Sequence, residues 1–254
     1  MERFSDGDPE YLKNEQYSSS SNLRARISLH ELFSTNPHGW HRWVFDRLRL
    51  PDAPAVLDIG CGSAALWRKN LERIPPGWTV VLADFSEGML GDAVAALGEG
   101  AERFTTVACE AQALPFRDEM FDTVIANHML YHVPNRPAAL SEMRRVLRSD
   151  GTFFASTVGL DHMQEVDRIV AWRRPGCSEF ETASKFGLEN GAEQLRHHFA
   201  ALRVDTYDDS LEVTDVAPLL DYIRSIPHEV ELDDSDLMGL VTPNERVVSS
   251  ATGG

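Results

Sequence analysis

The chain is poor in the features that announce several common protein classes. Its three cysteines, Cys61, Cys109 and Cys177, show neither metal-ligand spacing nor a disulfide framework. No stretch reaches the roughly 18 apolar residues of a membrane span, and the N-terminus lacks the charged-then-apolar pattern of a secretory leader. The expectation is a cytoplasmic protein with no metal and no membrane partner. Base is scarce as well: 24 Lys and Arg against 40 Asp and Glu leave a net charge of −16. Phosphate backbones need a basic face, so nucleic acid is not an expected partner. The deficit is uneven. Residues 204–237 hold eleven acids and one base, Arg224, whereas the first fifty balance seven against seven. The simple reading of the acidic run is a solvated face; attraction of a cationic ligand is the alternative.

Internal repeats are also missing, and 254 residues suit one large domain or a domain with a lid. What is present is an ordered set of four landmarks. Val56-Leu57-Asp58-Ile59-Gly60-Cys61-Gly62 is an apolar run ending in an acid and a Gly-x-Gly turn, followed by helix-like Ser63-Ala64-Ala65-Leu66-Trp67. This reads as a buried parallel strand whose turn lets backbone approach a ligand. Thr79–Asp84 is a second apolar run ending in a carboxylate, placed to accept hydrogen bonds from ribose hydroxyls. Cys109-Glu110-Ala111-Gln112-Ala113-Leu114-Pro115-Phe116 closes a third, and Phe121–Asn127 runs as a fourth into the ring-rich turn His128-Met129-Leu130-Tyr131-His132. Their tips should converge on one crevice at the carboxyl ends of the strands.

The alternation predicts strands near 55–59, 79–83, 104–108, 121–126 and 151–158, with helices near 63–73, 86–97 and 136–148. Asp84-Phe85-Ser86 should supply a cap for the second of these, and Asp150-Gly151 reads as a turn before the fifth strand. Before residue 50 two helices are expected, Leu23–Phe33 and Trp40–Leu48. After Gly159 the pattern suggests helices over 161–174 and 191–200 and from Thr214 or Asp215 to about Ile226, with Leu240-Val241 and Arg246–Ser250 as candidates for a last strand.

The succession resembles class I S-adenosylmethionine-dependent methyltransferases, strongly over residues 50–160. The resemblance is moderate for an N-terminal segment (Gln16-Tyr17, Arg24-Ala25-Arg26, Leu29-His30) and weak near Phe186–Gly191 and Tyr222–Ser225. It implies an α/β Rossmann-like fold: a seven-stranded, mostly parallel sheet with helices on both faces and an N-terminal helical lid. The expected division is 1–49 lid, 50–160 cofactor core, and 161–254 C-terminal helices and last strands of the same domain. The rival is an NAD(P)-dependent oxidoreductase or a non-catalytic nucleotide binder, whose first turn also carries Gly-x-Gly and a later acid. Asp58 stands where that fingerprint has an apolar residue, and Ala65 replaces its third glycine.

The resemblance implies S-adenosyl-L-methionine as cofactor. Gly60 and Gly62, with the small Cys61 between them, admit its methionine and ribose portion. Asp58 orients the turn or reaches the amino group. Asp84 is expected at the ribose diol and Phe85 on the adenine, with Met89 among the same contacts. Glu110, Ala111 and Gln112 frame the adenine edge, and Asn127 offers its backbone carbonyl or its side chain to the amino group. From the lid, Tyr17 covers the cofactor and Arg24 pairs with its carboxylate. His128 and Tyr131 are the candidate catalytic groups, because a histidine past the fourth strand can take a proton from a phenol or amine. The expected partner is a small, ring-bearing acceptor, an indole-type ring among the leading candidates, methylated at C, N or O by a monomer or homodimer.

Overall fold

The computed structural model describes residues 20–48, 50–173, 184–225, 247–249 and 252–253. Five parallel strands carry the fold: β1 (Ala55–Ile59), β2 (Thr79–Asp84), β3 (Phe104–Ala108), β4 (Phe121–Asn127) and β5 (Leu147–Ser156), in the order β3-β2-β1-β4-β5. The chain winds outward from β1 to β3 and returns to place β4 against β1 on the other side. A crevice therefore opens between the tips of β1 and β4, the switch point of a doubly wound sheet.

Strand alternation divides the core between the two faces of the sheet. Leu57, Ile59, Val81, Val124 and Ala126 pack with Ala139, Leu140, Met143 and Val146 of α5 (Arg136–Val146). On the other face Val56, Val80, Leu82 and Ile125 meet α2 (Trp40–Phe45), α3 (Ala65–Arg68) and α4 (Glu87–Leu97). The Ser86 hydroxyl accepts the Met89 N–H at 3.2 Å, capping α4 as expected. A third cluster joins Leu29 of α1 (Ser21–Phe33) to Met163 and to Val166 of α6 (Gln164–Arg173), then to Leu219, Leu220 and Ile223 of α8 (Val216–Ser225). A short α7 (Gly191–Arg196) precedes this last group.

Two sequence expectations need correction. Among the described residues the main sheet has five strands rather than seven. The remaining strands form two separate antiparallel pairs, β6 (Tyr207–Asp208) with β9 (Thr252–Gly253) and β7 (Leu211–Val213) with β8 (Val247–Ser249). The candidate Leu240-Val241 lies outside the described residues. The fifth strand also begins at Leu147, and Asp150-Gly151 lies inside it. Register shifts between Phe121 and Thr123, so extra residues of β5 bulge there. A Cβ on Gly151 would stand 2.9 Å from the Asp122 carbonyl oxygen, so close backbone packing, not a turn, requires the glycine.

Candidate active site

A cavity of about 1090 Å³ opens at the carboxyl ends of the strands, slightly larger than most small-molecule sites. All but two of the expected site residues line it: Asp58, Gly60, Cys61, Gly62, Asp84, Phe85, Met89, Glu110, Ala111, Gln112, Asn127, His128 and Tyr131. Tyr17 lies outside the described residues. Arg24 is exposed and absent from the lining, and Arg26 lines the cavity in its place. Helical periodicity explains the exchange: Leu23, Arg26, Ile27, His30 and Glu31 form one i, i+3, i+4, i+7, i+8 stripe facing inward, and Arg24 falls off it.

The glycine turn is held in left-handed backbone conformations, with φ of 67° at Gly60 and 54° at Gly62. A side chain at either would collide with a neighbour. A Cβ on Gly60 would lie 2.8 Å from the Met129 Cβ, and one on Gly62 would lie 2.8 Å from Leu23 Cδ2. So α1 rests directly over the turn. Asp84 fastens the turn from below: its carboxylate accepts the Gly62 N–H and the Ser86 N–H, each at 3.0 Å. Each oxygen keeps a further acceptor direction, since a carboxylate offers about four.

Asp58 is 2% exposed. One oxygen accepts the Trp67 indole N–H at 2.7 Å, while its other oxygen, Oδ1, is buried without a hydrogen-bond partner among the described residues. Burial pushes its carboxyl up to about 7; the Trp67 bond opposes this and the Asp84 charge adds to it. A buried acceptor left open is costly unless a ligand supplies a donor. An ammonium group facing the cavity fits it by charge and hydrogen bonding, and with two acid-ended strands and a glycine turn the residues suit S-adenosylmethionine. Cys61 is not reactive, because burial and the nearby carboxylates raise its thiol well above the usual range.

The segment after β3 is pinned rather than loose. Arg145 of α5 donates to the Leu114 carbonyl at 3.0 Å and the Phe116 carbonyl at 2.7 Å, and pairs with Glu142 and Asp118. Glu142 in turn accepts the Leu114 N–H at 2.8 Å. Gln112 and Asn127 have less free side chain than expected: the Asn135 N–H donates to Gln112 Oε1 at 3.0 Å, and Ser156 Oγ donates to Asn127 Oδ1 at 3.1 Å.

His128 adopts φ of 49°, fixed by its N–H donating to the Ser156 carbonyl and hydroxyl, each at 3.2 Å. Its ring lies 5.1 Å from that of Trp40. Burial, with the His41 and His30 rings nearby, pulls it down to about 4, so it is neutral at pH 7. Tyr131 packs edge-on against His132 at 4.6 Å. The second half of the cavity wall largely escaped the local sequence patterns: His41, His162 and Tyr207 come from segments that carry no motif, Tyr222 from one with only a weak resemblance, and tertiary packing unites them.

Acids at the tips of β1 and β2, a left-handed glycine turn and a crevice beside β4 fit the class I S-adenosylmethionine-dependent methyltransferase arrangement. Residues 57–155 match the family model of the methyltransferase domain. The dinucleotide rival is set aside by that match. Curated relatives include the demethylmenaquinone methyltransferase of Mycobacterium tuberculosis, 38% identical over 112 residues, which are 44% of each chain. The ubiquinone/menaquinone biosynthesis C-methyltransferase UbiE of Paracoccus denitrificans is 35% identical over 126 residues, 48% of this chain and 50% of that one. The similarity thus spans about half the length of these relatives. The fold is shared more widely. A Bacillus halodurans protein of known structure superposes with a TM-score of 0.60 at 18% identity, covering 84% of this chain and 94% of that one. The [4+2]-cyclase SpnF gives 0.53 at 17%, covering 76% and 74%. A cyclase among the neighbours means that fold alone does not fix chemistry.

Proposed function

We propose that this chain transfers a methyl group from S-adenosylmethionine to a small aromatic acceptor. The observation that carries the reading is the open, buried Asp58 oxygen beside the glycine turn, within the segment that matches the methyltransferase domain. The bound sulfonium supplies an electrophilic methyl group. Asp58 receives the ammonium, Asp84 the ribose, and Phe85, Met89 and the Glu110–Gln112 segment surround the adenine. Leu23 and the rest of α1 cover the glycine turn and keep water from the sulfonium, as a lid does.

In-line transfer requires the acceptor atom held close behind the methyl carbon. His128, next to the tip of β4 and neutral at pH 7, takes the proton that the acceptor releases, with Tyr131 beside it on the same turn. The name of one relative includes C-methylation in quinone biosynthesis, which supports a ring carbon as the attacking atom. The test is methyl transfer from tritiated S-adenosylmethionine to a panel of indoles, phenols and aryl amines. Label in an indole or phenol supports the reading; a panel left unlabelled by cofactor-bound protein counts against an aromatic acceptor.

A further inference from the structure

The cavity has two chemically different halves. At the strand tips stand Asp58, Asp84 and Glu110. The other half is built from α1, α2, the turn after β4, the start of α6 and the β6–α8 region. Here the charged side chains are already engaged. Lys69 pairs with Glu31 at 2.8 Å, Arg42 with Glu72 at 3.5 Å, and both Arg73 and His38 with Asp46. Arg26 donates to the Ser225 carbonyl at 2.7 Å and to its hydroxyl at 3.1 Å. Asp209 accepts from Ser34 Oγ, the Asn36 N–H and the Ser210 N–H. Six of the nine histidines line the cavity, and burial keeps His30, His41, His128, His132 and His162 neutral near pH 7. What this half presents to a ligand is therefore rings and uncharged polar groups.

One of those groups is open. Tyr207 is 3% exposed and lines the cavity. Its hydroxyl lies near Ser34 and the Gly39 backbone, yet it is buried with no well-aligned hydrogen bond among the described residues. Burial, with the Asp209 charge nearby, weakens it as an acid, so it stays protonated at neutral pH and is a donor seeking an acceptor. A chain of ring contacts links it to the reacting region: Tyr207 to Trp40 at 5.3 Å, and Trp40 to His128 at 5.1 Å. We infer that Tyr207, Trp40 and His128 form the acceptor subsite, and that it takes an uncharged planar aromatic compound whose rim carries an oxygen facing the Tyr207 hydroxyl. Trp40 stacks on the ring, and the edge nearest His128 is the one presented to the cofactor. Cationic amines and carboxylates are rejected, because among the described residues this half offers no free counter-charge. The acidic run of residues 204–237 thus does not serve as an amine trap where it reaches the cavity.

This inference rests on the methyltransferase reading for its orientation but not for its readout, which is binding. The full chain, saturated with S-adenosylhomocysteine, is titrated with 1-naphthol, 1-naphthylmethylammonium and 1-naphthoate while Trp fluorescence is followed. The expected result is saturable quenching by 1-naphthol, with both charged probes binding at least about tenfold more weakly. Tyr207→Phe should weaken 1-naphthol about three- to tenfold, the size of one lost hydrogen bond, and leave S-adenosylhomocysteine affinity unchanged. Equal or tighter binding of a charged probe by the unaltered chain overturns the proposal, as does a Tyr207→Phe variant with full 1-naphthol affinity. S-adenosylhomocysteine that fails to bind at all, with the naphthol series behaving as expected, rejects the methyltransferase reading and leaves the neutral aromatic subsite standing.

Discussion

If Asp58 receives the cofactor's ammonium, binding must release protons. Free Asp58 titrates at about 7 because burial disfavours its charge. An opposite charge within about 4–6 Å lowers a carboxyl by about one to three pH units. At pH 6.5 free Asp58 is about three-quarters protonated, so binding should expel about 0.5–0.75 proton per site, falling towards zero above about pH 8. The buried histidines that titrate near 3 to 4 are already neutral at pH 6.5 and contribute nothing. Asp84 is also raised by burial and acts in the same direction; Asp58→Asn separates the two. The assay is calorimetric titration with S-adenosylhomocysteine at pH 6.5 in phosphate, PIPES and imidazole, whose ionisation enthalpies differ. The slope of observed enthalpy against ionisation enthalpy gives the proton count. Tight binding with the same enthalpy in all three buffers would refute the reasoning, and so would an Asp58→Asn variant that releases as many protons as the parent.

Three further outcomes are expected. Arg145→Ala should lower stability by about 1–3 kcal/mol and weaken S-adenosylhomocysteine several-fold by freeing the Leu114–Asp118 segment, with Arg145→Lys restoring little because the bidentate fork is lost; unchanged melting temperature and affinity would contradict the pinning role. Burial lowers the proton affinity of His30, His41, His128, His132 and His162 in the folded chain. The unfolded chain therefore binds more protons between about pH 4 and 6.5, and stability should be full above that window and fall as pH drops through it. Asp58, raised in the folded chain, opposes this more weakly; denaturant midpoints that stay flat from pH 7.5 to 4.5 would argue against neutral buried imidazoles. Amide exchange in α1 should slow when S-adenosylhomocysteine is added, since Leu23 lies over Gly62; equal exchange with and without ligand would make α1 a fixed scaffold.

The parts of the fold legible in the sequence are those where one local pattern carries the structure. β1 and β3 match their expected bounds, because short apolar runs between turn residues have few other ways to be buried. The Asp58 and Asp84 strand tips follow from the same runs. Gly151 misled because a glycine after an aspartate usually marks a turn, whereas here it relieves a bulge against Asp122. The exchange of Arg24 for Arg26 turns on helix phase, which short motifs do not record. The last strands pair with β7 and β6 instead of extending the main sheet, a long-range choice that no local pattern encodes. The acceptor half was the least legible for the same reason: Trp40, His128, His162 and Tyr207 meet only after α1, α6 and α8 have packed together.

The most direct measurement of the central claim is a paired calorimetric titration of the full chain with S-adenosylhomocysteine and with NADH. One site of micromolar-scale affinity for S-adenosylhomocysteine, weakened by about 1–3 kcal/mol in Asp84→Ala through loss of hydrogen bonds, and no heat with NADH, is the predicted result. Binding of NADH with no measurable S-adenosylhomocysteine binding would contradict it.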